Sequence, residues 1–148
     1  MTAGRLVLVF ACPLAQELGA LADRLGWPIT LVDPDRGTLD ADPVPYARCE
    51  LRVEGARLDA DCDVVVCDPD RAELSEVVAA LVASPARTIA VSAGSRAEAA
   101  ATLPGDPRVD LSPGLDLGGR SPAETAVALV AALIADRHGA PAGLLREP

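Results

Sequence analysis

The sequence predicts a single α/β domain built on a doubly wound, mostly parallel sheet with helices on both faces. Short apolar runs alternate with segments of helical periodicity along most of the chain. The first strand, helix and strand lie within about thirty residues, the size of a right-handed βαβ crossover. The length of 148 residues suffices for one substantial core.

The amino-terminal part predicts the first βαβ unit. The run from Arg5 to Ala11 is rich in Val and Leu and is typical of a buried parallel strand. Pro13 suits the first turn of a helix, and Leu recurs at helical spacing until Gly26 ends that helix. The second strand is predicted at residues 29–32.

The later elements continue this alternation. Residues 34–46 are rich in Pro and Asp and are predicted to form a loop. The final helix is apolar on nearly all sides, which predicts that it is deeply covered. The predicted elements are strands at 49–53 and 63–67, a helix at 71–82, a strand at 88–92, a helix at 95–103, a strand at 109–111 and a helix over 125–135. Residues 1–138 are assigned to the domain and residues 139–148 to a flexible tail.

Composition excludes several classes of function. The formal net charge of -9 argues against binding to nucleic acid or to anionic membranes, which need basic patches. No apolar run reaches the length of about 18 residues that a membrane span requires, so a cytoplasmic protein is expected. The four cysteines form no Cys-x-x-Cys pair, and the single histidine, His138, is distant in sequence. We therefore expect no metal site.

Residues 114–126 carry a distinctive motif, Gly-Leu-Asp-Leu-Gly-Gly-Arg-Ser-Pro-Ala-Glu-Thr-Ala. It resembles the closing motif of the XdhC/CoxI family, accessory proteins that help mature molybdenum-containing xanthine dehydrogenases and related hydroxylases. The segments 93–96 (Ala-Gly-Ser-Arg) and 68–69 (Asp-Pro) resemble, in the same order, the family's Leu-Gly-Ser-Arg and Thr-His-Asp-Pro. The resemblance covers nearly the whole chain and concerns the family's C-terminal, Rossmann-like domain. Full-length members typically carry an N-terminal domain as well, to which nothing in this sequence corresponds.

The resemblance implies a non-catalytic accessory protein. It would bind the molybdenum cofactor (molybdopterin) transiently, or a molybdenum hydroxylase subunit, and would hold no cofactor tightly. The implied cofactor-binding residues lie mostly where the strands end, and with Cys12 they are expected to line one crevice. They are Asp33, Cys67, Ser95, Arg96 and Asp116.

Each of these residues is assigned to the implied cofactor site for a separate reason. Asp33 holds the acidic position that grips a ribose in dinucleotide-binding folds. Cys67 stands at the family's His position, so a thiol replaces an imidazole. Ser95 can cap a helix, beside which Arg96 offers a guanidinium for a phosphate. Asp116 is required by neither a cap nor a core.

The loop after the first strand departs from a dinucleotide site. Such a site needs Gly-x-Gly-x-x-Gly/Ala, so that the backbone turns tightly and approaches the pyrophosphate. This chain has Phe10-Ala-Cys-Pro-Leu-Ala15, in which both leading glycines are absent and Pro13 removes a backbone donor. Tight NAD(P) binding is therefore not expected.

Simpler interpretations remain open. Ser121 and Glu124 form a capping box, which accounts for both residues without chemistry. Cys67 also suits a small residue that ends a buried strand, and Asp33 suits an ordinary turn. The alternative functions are an NAD(P)-dependent oxidoreductase domain and an interaction or regulatory domain without a ligand. The oligomeric state is open, a homodimer included.

Overall fold

The computed structural model describes residues 4–92 and 96–145, without the side chains of residues 96 and 97. Its described residues form one six-stranded sheet in the order β3-β2-β1-β4-β5-β6, with every neighbouring pair parallel. This is the order of a Rossmann-like doubly wound sheet, so the predicted fold class is confirmed. The strands are β1 (Arg5–Val9), β2 (Ile29–Val32), β3 (Arg48–Glu50), β4 (Cys62–Val66), β5 (Thr88–Val91) and β6 (Val109–Asp110).

Helices cover both faces of the sheet because alternate strand residues point to opposite sides. Leu8 and Val65 pack on one face with residues of the first and last helices. Val9 and Val66 pack on the other face with Val77 of the third helix. The helices are α1 (Pro13–Arg24), α2 (Arg36–Ala41), α3 (Leu74–Val82), α4 (Arg96–Thr102) and α5 (Pro122–His138).

The prediction of a plain loop at residues 34–46 was wrong, because α2 lies within it. Asp35 precedes this helix, and its Oδ1 accepts hydrogen bonds from the backbone amides of Gly37 (2.8 Å) and Thr38 (3.3 Å). The Asp that marked a turn in the sequence thus begins a helix, since both structures use the same side-chain acceptor.

Two neighbouring elements also differ from the prediction. The third strand is Arg48–Glu50, and Val53–Ala56 form a 3₁₀ helix where the predicted strand would have ended. Helix α3 begins at Leu74, three residues later than predicted. Those three residues include Arg71, whose side chain turns towards the end of β2 instead of continuing a helix face.

Helix α5 is longer and less covered than predicted. Its predicted capping box forms in part: Ser121 Oγ accepts a hydrogen bond from the Glu124 amide (3.1 Å), whereas Glu124 Oε1 accepts from the Ser121 hydroxyl (2.8 Å) and not from a backbone amide. One side of the helix is buried against α1 and the sheet, whereas Val127 is 48% exposed. The expectation that the helix is covered on nearly all sides was therefore wrong. Beyond it, residues 140–145 form no helix or strand, and the assignment of a flexible tail remains a prediction.

A cluster of ion pairs closes the amino edge of the sheet. Asp63, near the start of β4, is almost fully buried. Its carboxylate pairs with Arg87 before β5 (2.9 Å) and with Arg137 at the end of α5 (2.6 Å). The cluster links two strands to the last helix, so it serves the fold and lies away from the carboxyl ends of the strands. In the part of the chain that the structure describes, no helix is long and apolar enough to span a membrane.

Candidate functional site

The carboxyl ends of β1, β2, β4 and β5 bring most of the predicted site residues to one edge of the sheet. Cys12 follows β1, Asp33 follows β2 and Cys67 follows β4. Helix α4 begins at Arg96 after β5, which pairs with β4, so the Arg96 backbone belongs to the same edge. Ser95 lies outside the described residues. Open parallel sheets bind ligands at such an edge, next to the point where the strand order reverses.

The loop after β1 keeps a glycine-like turn but fills it with a side chain. Phe10 has φ 73°, in the left-handed region that favours glycine, and its side chain is fully buried among residues that include Val32 and Val66. This conformation is costly for an aromatic residue and persists because the surrounding core holds it. Cys12 and Pro13 then occupy the N-cap and first position of α1. The backbone thus follows a dinucleotide-type turn without the glycine surface that would let a pyrophosphate approach.

Asp33 is the most fully occupied polar group at this edge. Its side chain is 0% exposed, and Oδ2 accepts hydrogen bonds from the Ala11 amide (2.9 Å) and Arg71 (2.9 Å). Oδ1 accepts from the Asp35 amide (2.9 Å) and from Arg71 (2.8 Å). Burial acts to raise the pKa of this carboxyl, but Arg71 and the two amides outweigh it and hold the pKa below 3.8. The structure gives Asp33 a structural role, and its assignment to a cofactor remains a prediction.

Arg71 is the residue that sequence reasoning missed. Its guanidinium forms a two-pronged pair with Asp33, a second ion pair with Glu73 (3.0 Å) and a cation–π contact 4.5 Å from the centre of the Phe10 ring. Its side chain is only 15% exposed. No local sequence pattern links it to Asp33, because the two residues are 38 positions apart. Arg71 thus binds both carboxylate oxygens of Asp33, the residue at the position that binds a ribose in dinucleotide sites.

Cys12 and Cys67 lie next to each other across β1 and β4. Cys12 Sγ donates a hydrogen bond to the Cys67 carbonyl oxygen (3.8 Å), and both side chains belong to the same apolar cluster. The Cys67 side chain, opposed by burial and helped by the Ala15 and Leu14 amides at the start of α1, lowers the pKa of Cys12 to about 7. Burial, followed by the Cys12 contact, raises the pKa of Cys67. The edge therefore carries one half-buried, acidic thiol beside a second, buried one.

Alkylation of Cys12 is expected to show this lowered pKa. The rate with iodoacetamide, followed by mass spectrometry across a pH series, should rise with pH around a midpoint of about 7, because the thiolate is the reacting form. The other ionisable groups that act on this sulfur are Cys67 and Asp68, whose charge raises the pKa. Cys67→Ala should shift the midpoint upwards by removing the main hydrogen bond. A midpoint near the ordinary value of 9.0 in the native chain would contradict the prediction.

Asp116 belongs to the loop after β6, at the edge strand. The start of this loop lies against α5, because Leu115 donates its amide to the Ala128 carbonyl (3.2 Å). Gly114, the residue before it, has φ 96°, in the left-handed region. A Cβ at Gly114 would lie 3.3 Å from the backbone of Ala128, so glycine permits this approach. Asp116 itself is exposed. Within the ranges that the structure describes, no hydrogen bond or ion pair joins it to Asp33 or Cys67.

An open cavity of about 580 Å³ lies between the 3₁₀ helix and α3, near the carboxyl end of β2. Val32 and Val77 form part of its floor, and Glu54, Glu73 and Glu76 make its walls acidic. Sequence reasoning did not identify this cavity, because its carboxylates come from two separate elements. Among the described residues, no group of three or more His, Cys, Asp or Glu side chains is placed to hold a metal ion.

Comparisons with known proteins agree with this geometry. Residues 6–133 match the family model described as the XdhC Rossmann domain. A solved structure titled a xanthine dehydrogenase from Bacillus halodurans superposes with a TM-score of 0.79 at 19% sequence identity. The match covers 92% of this chain and 45% of that one, so the chain spans less than half of that protein. A search of curated proteins found no match.

Proposed function

Because the chain belongs to the family of XdhC Rossmann domains, we propose that it is an accessory protein for the maturation of a molybdenum hydroxylase of the xanthine dehydrogenase type. The observation that carries this proposal is the family match over residues 6–133, which includes the closing motif at 114–126. The Bacillus halodurans protein, whose title names a xanthine dehydrogenase, supports the connection at the level of the fold. The chain would act by binding a hydroxylase subunit, the molybdenum cofactor, or both.

The altered loop after β1 favours an accessory role over hydride transfer. Both carboxylate oxygens of Asp33 are bound by Arg71, and Pro13 offers no amide to a pyrophosphate. These residues do not fit NAD(P). A fluorescence titration with NADH and NADPH should therefore fail to saturate even at millimolar concentration. Saturable binding would favour the alternative, an oxidoreductase domain.

The same edge fits transient binding of the molybdenum cofactor better than it fits a dinucleotide. Cys12 presents a half-buried sulfur, a soft donor of the kind that suits a metal bound to sulfur ligands. Arg96 has the guanidinium chemistry that binds a phosphate group. In this role Cys12 and Arg96 would orient the cofactor, while Asp33 and Arg71 would hold the loop that carries Cys12. The cofactor itself would supply the redox chemistry, in the partner enzyme.

Binding measurements test this proposal directly. Anaerobic calorimetry with isolated molybdenum cofactor, and copurification with the hydroxylase subunits of the same organism, should each show association. Arg96→Ala should weaken cofactor binding, because it removes the guanidinium that is proposed to bind the phosphate. Arg24→Ala is the matched control, because Arg24 is exposed at the opposite end of α1. Absence of binding to both the cofactor and the subunits would overturn the proposal.

A further inference from the structure

We propose that Cys12 and Cys67 form a thiol–disulfide exchange site that reacts with low-molecular-weight disulfides. Cys12 is the nucleophile that attacks the incoming disulfide, and Cys67 is the resolving thiol. Neither the family match nor the structural neighbour assigns any such activity to these positions. The inference concerns the thiols alone and does not depend on the proposed accessory function.

The fold brings the two cysteines into one apolar cluster through neighbouring strands. β1 and β4 pair in parallel with Val9 opposite Val66, and the Cys67 amide donates to the Val9 carbonyl (2.9 Å). The left-handed turn at Phe10 then redirects the chain, so that Cys12 contacts the residue just beyond the end of β4. The contact joins residues 55 positions apart in sequence. Cys12 lies three residues beyond the end of β1 and Cys67 directly follows β4, so both positions are set by central strands of the sheet.

The surroundings of the two thiols differ in the way that such a site requires. Cys12 is half-buried at the start of α1, where backbone amides stabilise a thiolate, so a small disulfide can reach it. Cys67 is 5% exposed and donates its thiol to the Val65 carbonyl (3.4 Å), which shields it from direct attack. A thiol buried behind a reactive one is accessible only to that partner. Cys12 is therefore the entry point, and Cys67 acts second.

In the proposed exchange, the low-molecular-weight disulfide RSSR is the oxidant and accepts two electrons from the two thiols. The Cys12 thiolate attacks a disulfide RSSR, forms a Cys12–SR bond and releases RS⁻. Cys67 then loses its proton to solvent or to the released thiolate and attacks Cys12 Sγ, which forms the Cys12–Cys67 bond and expels the second RS⁻. The protein loses two electrons and two protons in total, and RSSR becomes two RSH. A reducing thiol reverses both steps.

The other two cysteines provide internal controls. Cys49 is exposed and its thiol donates to the Ala47 carbonyl (3.8 Å), and among the described residues no hydrogen bond joins it to another cysteine that could resolve an adduct. Cys62 is buried at the opposite end of β4, where its sulfur contacts Arg5 (2.9 Å) and Asp59 (3.3 Å). The length of β4 separates it from Cys67 by about 15 Å. A disulfide formed by collision or by unfolding would include these residues, whereas the proposed site would not.

The test equilibrates the full chain with mixtures of oxidised and reduced glutathione, quenches with acid and maps the cysteines by mass spectrometry. The native chain should lose two hydrogens and yield a crosslink between the tryptic peptide that follows Arg5 and the one that follows Arg57. Fragmentation of the second peptide distinguishes Cys67 from Cys62, which it also contains. This map needs no variant, so it decides the question even if a substitution impairs folding. Recovery of Cys12 and Cys67 as free thiols at every glutathione ratio would overturn the proposal.

Variants then separate the two roles. Cys67→Ala should accumulate a glutathione adduct on Cys12, because the adduct can no longer be resolved, and Cys67→Val serves if the smaller side chain destabilises the core. Cys12→Ser should leave Cys67 reduced. Cys49→Ser, the matched control, should form the Cys12–Cys67 disulfide as the native chain does. Equal adduct levels on Cys12 in the native chain and in both Cys67 variants would refute the resolving role.

Discussion

The Asp33→Asn variant is expected to lose about 3–5 kcal/mol of unfolding free energy, because it removes one partner of a buried ion pair. The amide cannot accept from all four donors that now converge on the carboxylate. Arg71 would keep its charge at 15% exposure with only Glu73 left to pair with. The Ala11 amide would also lose its acceptor, so the loop that holds Cys12 should loosen. Urea unfolding followed by circular dichroism measures the loss.

Two comparison variants test whether the broken ion pair causes this loss of unfolding free energy. Asp70→Asn changes an exposed Asp near Arg71 and should stay within about 0.5 kcal/mol of the native chain. A double variant with Asp33→Leu and Arg71→Met should lose less than Asp33→Asn alone, because no unpaired charge remains. A loss as small as that of Asp70→Asn would show that the pair contributes little to stability.

The same ion pair gives stability a defined pH dependence. The pKa of Asp33 is lower in the folded chain than its ordinary value of 3.8, so the folded state binds fewer protons on this group. Its contribution to stability is therefore complete above that value and is lost as the pH falls below it. In Asp33→Asn this component of the acid sensitivity should be absent.

The fold could be predicted because each sequence pattern that indicates it spans only a few neighbouring residues. The Val-rich runs of β1 and β4 and the capping box of α5 are short patterns with a direct physical meaning. The wrong prediction of a loop at 34–46 also arose from a short pattern. An Asp that begins a turn and an Asp that begins a helix offer the same side-chain acceptor, as Asp35 shows.

The site could be predicted only in outline. Parallel strands place their carboxyl ends on one edge, so the proximity of Cys12 and Cys67 follows from the topology. The pairing of Asp33 with Arg71 does not, because the two residues are 38 positions apart and no local pattern links them. The acidic cavity likewise depends on packing between the 3₁₀ helix and α3. Long-range contacts decide which polar residues remain available to a ligand, and in this chain they occupy Asp33.

The second large effect is expected at the opposite edge of the sheet, in Asp63→Asn. Asp63 is almost fully buried and pairs with Arg87 (2.9 Å) and Arg137 (2.6 Å), so its loss leaves two partly buried guanidinium groups without this partner. We expect a loss of about 3–5 kcal/mol in unfolding free energy. Asp136→Asn is the control: Asp136 pairs with the same Arg87 (2.6 Å) but is 59% exposed, so about 0–1 kcal/mol is expected.

Comparison of Asp63→Asn with Asp33→Asn separates effects on stability from effects on the reactivity of Cys12. Both variants should unfold more easily, yet only Asp33 accepts the amide of Ala11, the residue before Cys12. Alkylation of Cys12 in folded Asp63→Asn should therefore keep its midpoint of about 7, whereas in folded Asp33→Asn the midpoint should move. If Asp63→Asn moved it equally, general loosening of the fold would explain both results, and the Asp33–Arg71 pair would have no specific role in positioning Cys12.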